Sequence, residues 1–286
     1  MMKDKIVLIT GANRGIGKET TRALAKKGAT IIMACRHLEK AESVGEMIQI
    51  ESKNPHIEVM RLDLTSLESI RNFTREFKAR YQKLDVLINN AGVFCMRREE
   101  TEEGFELTIG VNHLGHFLLT HELMPLLEKT PEARIINLSS NAHYSADLDL
   151  GDLHFKKRKY SGIKAYGSSR LTTVFFTQEL AERLKEKNIT VNALHPGHVD
   201  TNMWDLWGVE RKWYQSIIHR MIKLFLISAE EGAQTSIYLA SSVEVKRITG
   251  KYFAKKKIKA ASKKCADIKL QKELWQLSKR LTGIDK

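Results

Sequence analysis

The glycine-rich segment after the first apolar run limits the fold of this chain more than any other feature. Residues 10–24 read TGANRGIGKETTRAL and directly follow KIVLIT (5–10). A glycine turn between a strand and a helix lets the backbone approach a pyrophosphate at the helix N-terminus. Gly11 would make the tight turn, Gly15 would admit the phosphates, and Gly17 would allow close packing of helix on strand. The segment therefore predicts a dinucleotide site.

Beyond this segment, short β-branched runs alternate with longer stretches of helical pattern. Further strands are predicted at 30–35, 57–62, 84–89, 133–139, 189–195 and 250–254. Their nearly continuous apolar character is typical of parallel strands that helices cover on both faces. The alternation predicts an α/β protein with a doubly wound parallel sheet, the Rossmann fold, as a single domain over residues 1–286.

Two of the intervening helices have well-marked patterns. Thr65 and Glu68 are expected to form a capping box, before a helix face of Ile70, Phe73, Phe77 and Tyr81. A final helix at about 267–282 is expected to pack on the domain through Leu270, Leu274, Leu277 and Leu281.

The charge of the chain is strongly positive. Its 47 Lys and Arg residues outnumber 34 Asp and Glu residues, for a net charge of +13. Basic residues concentrate in AKKKIKAASKK (254–264), which either forms a solvated basic surface or attracts anionic groups such as lipid headgroups. We expect no nucleic-acid partner, because the fold offers no recognised element for reading bases.

The cysteine pattern indicates the redox environment in which the protein is found. Cys35, Cys95 and Cys265 are far apart and lack the CxxC spacing. This argues against a disulfide framework or a zinc site and predicts a reducing, cytoplasmic location. We expect neither a cleavable signal peptide nor a spanning helix before the first strand, because the apolar run begins at residue 5.

Several short motifs occur in a characteristic order. The chain carries TGANRGIG, NNAG (89–92), VNHLGHF (111–117), NLSS (137–140), Tyr166 and HPG (195–197). Together these motifs resemble those of the short-chain dehydrogenase/reductases. The segments EEGAQTSIYLAS (230–241) and ELWQLSKRLTGI (273–284) resemble the retinol dehydrogenase-like branch. The resemblance implies an oxidoreductase that interconverts a carbonyl compound and its alcohol with a nicotinamide cofactor.

The residues after the second strand bear on the choice of cofactor. Sites that prefer NAD(H) carry an acidic residue there for the ribose 2′-hydroxyl. This chain instead has Cys35, Arg36 and His37. Arg36, together with Arg14 of the glycine turn, would hold a 2′-phosphate, so NADP(H) is predicted rather than NAD(H).

By resemblance, further residues would contact the cofactor along its length. Asp63 and Leu64 would flank the adenine, and Val199 and Thr201 would close around the nicotinamide carboxamide. The remaining expected contacts are Asn13, Ile16, Asn90, Ala91, Gly92, Tyr166, Arg170, Pro196 and Gly197.

The reaction centre is predicted around Tyr166. A free phenol has a pKa of about 10, so a tyrosine acid needs a nearby cation. Arg170, four positions later on a helix expected to begin near Tyr166, supplies one on the same face. Ser140, at the end of the fifth strand, would hydrogen-bond the substrate oxygen. By resemblance, Ser140 and Tyr166 are the catalytic serine and tyrosine, and Asn112 organises a water behind the site.

Arg170 departs from the family pattern, which has a lysine at this position. A guanidinium supplies charge and hydrogen bonds but does not readily release a proton. Two interpretations therefore stay open: a working oxidoreductase, or a catalytically weak or inactive dinucleotide-binding protein of the same fold. Lys164 is expected to face away from Tyr166.

The segment at about 202–228 resembles the variable substrate lid of the family. Its tryptophans and aliphatic residues suit a small lipophilic carbonyl or alcohol, but they also suit core packing, a dimer helix or peripheral contact with a membrane. A homo-oligomer is implied only by the resemblance. No metal is expected at His113, His116 and His121, whereas His143 could contact substrate or serve only its loop.

Overall fold

The computed structural model describes residues 2–197 and 227–284. One sheet in the order β3-β2-β1-β4-β5-β6-β7-β8 forms the centre. Its strands are β1 (Ile6–Thr10), β2 (Thr30–Cys35), β3 (Ile57–Arg61), β4 (Val86–Asn89), β5 (Ala133–Leu138), β6 (Ile189–His195), β7 (Tyr252–Ala254) and β8 (Lys257–Lys259). All pairings are parallel except that of β7 with β8. The predicted Rossmann fold in a single domain is confirmed.

Helices cover both faces of the sheet within the described ranges. They are α1 (Gly15–Lys26), α2 (Leu38–Ser52), α3 (Leu67–Arg80), α4 (Leu107–Ile109), a π-helical turn (Gly110–Gly115), α5 (His116–Lys129), α6 (Gly162–Arg183), α7 (Ala229–Ser241) and α8 (Ile268–Thr282). Val7, Leu8 and Ile9 of β1 are all completely buried. Because successive side chains of a strand point to opposite faces, both faces of β1 are covered.

The strand order positions the candidate site. From β1 the chain moves outward to β2 and β3, and then returns to the other side of β1 at β4. Ligands of such sheets bind beyond the carboxyl ends of the strands, where the order reverses. The loops after β1, β4 and β5 meet at this edge.

Three local predictions differ from the structure. Ser66, not Thr65, caps α3 by accepting a hydrogen bond from the Ser69 amide at 3.3 Å. The Thr65 hydroxyl instead donates to Asp63 Oδ1 at 2.8 Å, so the predicted capping box was wrong. Helix α6 begins at Gly162, one turn before Tyr166. Strand β8 was not predicted, because its sequence KIK is short and mostly charged.

Helix α8 packs on α5 and α6 through a buried ridge. Trp275 is 5% exposed, with its ring centroid 5.0 Å from that of Phe117. The guanidinium of Arg183 lies 4.4 Å from the same indole. Leu274 is also buried, whereas Leu270, Leu277 and Leu281 are only partly buried. None of the helices in the described ranges combines the length and apolar character that crossing a bilayer requires.

Candidate active site

A cavity of about 1130 Å³ lies at the carboxyl ends of the parallel strands. Seventeen of the predicted site residues line it: Gly11, Asn13, Arg14, Gly15, Ile16, Gly17, Arg36, Asp63, Leu64, Asn90, Ala91, Gly92, Ser140, Tyr166, Arg170, Pro196 and Gly197. Asn112 lies behind this lining. Val199, Thr201 and residues 202–226 of the predicted lid fall outside the described residues.

The glycine turn after β1 has the close backbone packing that its sequence predicts. Gly11 and Gly15 have φ values of +63° and +51°, in the left-handed region that glycine adopts easily. A Cβ on Gly17 would overlap the Gly11 carbonyl and lie 2.6 Å from Asn90 Nδ2. This turn brings the backbone N-terminus of α1 to the cavity wall, where an anionic pyrophosphate is favoured.

A hydrogen-bond network joins the glycine turn to the loop after β4. Thr10 Oγ1 accepts hydrogen bonds from the Asn90 and Ala91 amides, both at 2.9 Å. It lies 2.9 Å from His116 Nε2. Because Thr10 Oγ1 already accepts twice, its hydroxyl proton points to His116 Nε2, which assigns a neutral imidazole. Burial lowers the pKa of His116 to about 4. Sequence reasoning missed this network, whose members are up to 106 positions apart.

The end of the cavity beside β2 is rich in cations. Arg14, Arg36 and Lys40 line it, together with the imidazole of His37. Arg36 Nε donates a hydrogen bond to His37 Nε2 at 3.2 Å. Lys40, on the first turn of α2, was not predicted. This end is therefore suited to a phosphate group.

The other end of the cavity holds Tyr166. Its ring packs edge-on against Phe94, with centroids 5.4 Å apart. The guanidinium of Arg170 lies 4.9 Å from the centre of the Tyr166 ring. Ser140 follows β5 and lines the same cavity. Lys164 is exposed and is not among the described lining residues, as expected from its position two residues before Tyr166.

Arg170 is 5% exposed, an unusual degree of burial for a guanidinium. Its Nη1 donates to the Leu138 carbonyl at 2.8 Å, and a Cβ on Gly92 would overlap its Nη2. Its Nε has no hydrogen-bond partner within the described part of the chain. The permanent positive charge is thus held close to the Tyr166 ring at the end of β5.

Asn112 ties the loop after β4 to α6. Its Oδ1 accepts from the Val93 amide at 2.8 Å. Its Nδ2 donates to the Val93 carbonyl and to Ser169 Oγ, both at 3.0 Å. These contacts hold Val93 against the helix that carries Tyr166. The water predicted at Asn112 stays a prediction.

Two further histidines, His113 and His143, are buried and hydrogen-bonded. His113 Nε2 lies 2.8 Å from Ser278 Oγ, and burial lowers the pKa of this imidazole to about 3. His143 is completely buried beneath the turn that follows Ser140. Within residues 2–197 and 227–284, no group of three His, Cys, Asp or Glu side chains is arranged to hold a metal.

The fold and the cavity define a dinucleotide-binding α/β protein with a tyrosine and a buried cation at one end. A sequence model of the family described as short chain dehydrogenase matches residues 5–211. The chain belongs to the short-chain dehydrogenase/reductase family, and it is an oxidoreductase of the retinol dehydrogenase-like branch.

Individual relatives show how far the similarity extends. Retinol dehydrogenase 13 of Homo sapiens is 43% identical over 282 residues, covering 98% of this chain and 85% of that protein. Retinol dehydrogenase 12 of Homo sapiens is 42% identical over 280 residues, covering 98% and 87%. A crystal structure of an uncharacterized protein from Mycobacterium paratuberculosis matches with a TM-score of 0.80 and 33% identity, covering 99% of this chain and 94% of that one.

Proposed function

We propose that the protein is an NADP(H)-dependent oxidoreductase that interconverts a lipophilic aldehyde or ketone and its alcohol. One observation carries the proposal: a single cavity joins a cationic end at Arg14 and Arg36 to a reaction end at Ser140, Tyr166 and Arg170. The names of the relatives, retinol dehydrogenases 12 and 13, support a lipophilic substrate of this class.

Two side chains at the reaction end, Tyr166 and Ser140, would act on the substrate oxygen. The nicotinamide supplies or accepts the hydride when the cofactor is bound. Tyr166 would donate the proton to the carbonyl oxygen, as a general acid. Ser140 would hydrogen-bond the same oxygen and stabilise the charge that develops on it. In the oxidative direction, the same groups would act in reverse.

Arg170 would provide fixed positive charge beside the acid. Its buried position strengthens this effect, because a charge acts over a longer range where water is excluded. Its guanidinium does not release a proton near neutral pH, so reprotonation of Tyr166 would not pass through Arg170. The charge and the hydrogen bond to Leu138 are therefore its proposed contributions.

The preference for NADP(H) rests on charge. Neither of the residues directly after β2, Arg36 and His37, is a carboxylate, which an NAD(H) site would need there for the ribose. Arg14 and Arg36 would instead bind the 2′-phosphate, and Lys40 on the first turn of α2 would add a third cation.

The apolar side of the reaction end favours a lipophilic substrate. Val93, Phe94 and Ile163 line the cavity near Tyr166. Ile163 is 68% exposed, so an apolar substrate would cover its side chain. A cytoplasmic location, peripheral contact of residues 254–264 with a membrane, and a homo-oligomer stay predictions.

The alternative is a catalytically weak or inactive dinucleotide-binding protein. The departure of Arg170 from the lysine of the family favours this alternative, because a guanidinium does not release a proton near neutral pH. In that case the protein would bind the cofactor but would not convert a substrate.

A cofactor and substrate assay separates the two. Purified protein would be mixed with NADPH or NADH and a panel that includes retinal and aliphatic aldehydes, while the absorbance of the reduced cofactor is followed. We expect turnover with NADPH, no turnover in Tyr166→Phe, and unchanged turnover in the control Tyr81→Phe, a tyrosine far from the cavity. Tight NADPH binding without turnover on any substrate would establish the inactive alternative instead.

A further inference from the structure

His143 occupies an unusual position beside the proposed catalytic serine. It lies in the 3-10 turn Asn141–Ser145, and its side chain is 0% exposed. Its Nδ1 lies 2.6 Å from the carbonyl oxygen of Ser140. Its Nε2 accepts a hydrogen bond from the backbone amide of Ser262 at 3.1 Å. His143 is fully buried and is not among the residues that line the cavity, so any effect on turnover would operate through its neighbours.

The two partners assign the protonation state of the imidazole. A backbone amide only donates, so Nε2 must carry a lone pair. A carbonyl only accepts, so Nδ1 must carry the proton. The neutral Nδ1–H tautomer is therefore the one state that satisfies both partners. Burial lowers the pKa of His143, in agreement with a neutral ring.

Two further hydrogen bonds join the same turn to the C-terminal segment, residues 260–264. Tyr144 Oη donates to the Ala260 carbonyl at 2.6 Å. Lys264 Nζ donates to the Ala146 carbonyl at 2.5 Å. Asn141, Tyr144 and Ser145 of the turn are exposed, whereas His143 is buried. Of these contacts with the C-terminal segment, that of His143 is the one made by a side chain that also bonds the Ser140 carbonyl.

The orientation of the Ser140 hydroxyl is linked to this turn. Ser140 Oγ accepts a hydrogen bond from the Ala142 amide at 3.3 Å. A shift of the turn would move that amide and hence the hydroxyl. Reaction rates are sensitive to such displacements, since an error of about 1 Å can cost roughly a hundredfold in rate.

We propose that His143 is a positioning residue, whose neutral imidazole ties the Ser140 carbonyl to the Ser262 amide and so fixes the serine hydroxyl for the reaction. The inference rests on the proposed function, because it assigns Ser140 a role in turnover. Two titratable groups pack against the ring, Tyr144 and Tyr252, and the Cys265 thiol lies close enough to act on both phenols. Lys264 Nζ lies at the Ala146 carbonyl. The phenols and the thiol are neutral near pH 7.

Kinetics of His143→Phe test the role. Phenylalanine keeps an aromatic ring in the buried site and removes both hydrogen bonds. We expect kcat to fall at least about tenfold, with the Kd for NADPH within about twofold of wild type. Tyr144→Phe and Lys264→Met are matched controls: each removes one bond of the turn to the C-terminal segment and should leave kcat within about twofold.

The Ser140→Ala background distinguishes positioning from general destabilisation. If His143 acts through the serine hydroxyl, adding His143→Phe to Ser140→Ala should leave the residual kcat unchanged. A merely structural role would lower kcat by the same factor in both backgrounds, and that result would overturn the proposal.

A nitrogen-15 NMR spectrum of the histidine rings gives a readout that is independent of activity. In the wild-type spectrum, the resonance that disappears in His143→Phe should show the neutral Nδ1–H tautomer at pH 6, and this readout needs no turnover. An Nε2–H tautomer or a charged ring would refute the inference. Wild-type turnover with an unaffected His143→Phe variant refutes this inference alone, whereas absence of wild-type turnover refutes the proposed function and this inference with it.

Discussion

Mild acid should destabilise the protein through two buried histidines. His113 and His116 are 2% and 4% exposed, and burial lowers their pKa values to about 3 and about 4. In the unfolded chain both would titrate near pH 6.5. The unfolded state therefore binds more protons below pH 6.5, and the stability present near pH 7 is lost as the pH falls toward 4.

The magnitude follows from the two pKa values. Between pH 7 and pH 5, a histidine whose folded pKa is about 4 or lower costs the folded state about 2 kcal/mol. The pair together costs about 4 kcal/mol, a large share of the roughly 5–15 kcal/mol that stabilises a typical domain. His143 and His154, whose pKa values burial also lowers, act in the same direction.

Urea unfolding at pH 7, 6 and 5, followed by tryptophan fluorescence, measures this loss. Carboxylates contribute little in that window, because the pKa of an unfolded Asp or Glu is about 4. A double variant, His113→Leu with Ser278→Ala, removes one titrating ring together with its hydrogen-bond partner. Its loss of stability between pH 7 and pH 5 should be smaller than that of wild type by about 2 kcal/mol.

The exposed residue His56 provides the control. His56→Gln, measured in parallel, removes an exposed ring and keeps both buried ones. A wild-type free energy of unfolding that is equal at pH 7 and pH 5 would refute the reasoning. So would a double variant that loses as much stability as wild type.

Three further predictions concern packing, the glycine turn and the choice of cofactor. Trp275→Ala should lower the free energy of unfolding in urea by about 3–5 kcal/mol, because it empties a packed site beside Phe117; a loss below about 1 kcal/mol would contradict that packing. Gly17→Ala should weaken NADPH binding at least about tenfold in a fluorescence titration, because the new Cβ overlaps the Gly11 carbonyl. Arg36→Asp should reverse the ratio of kcat/KM for NADPH and NADH, and an unchanged ratio would show that Arg36 does not read the 2′-phosphate.

The strands were predictable because burial on both faces demands apolar residues at nearly every position. Strand β8 has no such pattern, and its extended state comes from pairing with β7, a tertiary contact that overrides local preference. The cap of α3 was placed one residue too early, because Thr65 and Ser66 are both good capping residues. In the structure the Thr65 hydroxyl bonds Asp63, and the Ser66 hydroxyl caps the helix.

The candidate site was predictable where a motif sets the backbone. The glycine turn and the position of Tyr166 follow from local sequence, and the structure brings them to one cavity. Contacts between distant segments were not predictable, such as Thr10 with His116 or His143 with Ser262. These hydrogen bonds depend on how the loops meet at the edge of the sheet.

The central claim is that Tyr166, beside the buried Arg170, supports hydride transfer to a carbonyl carbon. The most direct measurement is a single-turnover reaction with NADPH deuterated at the transferable position and a lipophilic aldehyde, analysed by mass spectrometry. We predict one deuterium at the carbinol carbon of the product for wild type, and none above background for Tyr166→Phe. Bound cofactor with no deuterium in any product, together with transfer restored in Arg170→Lys, would contradict the claim.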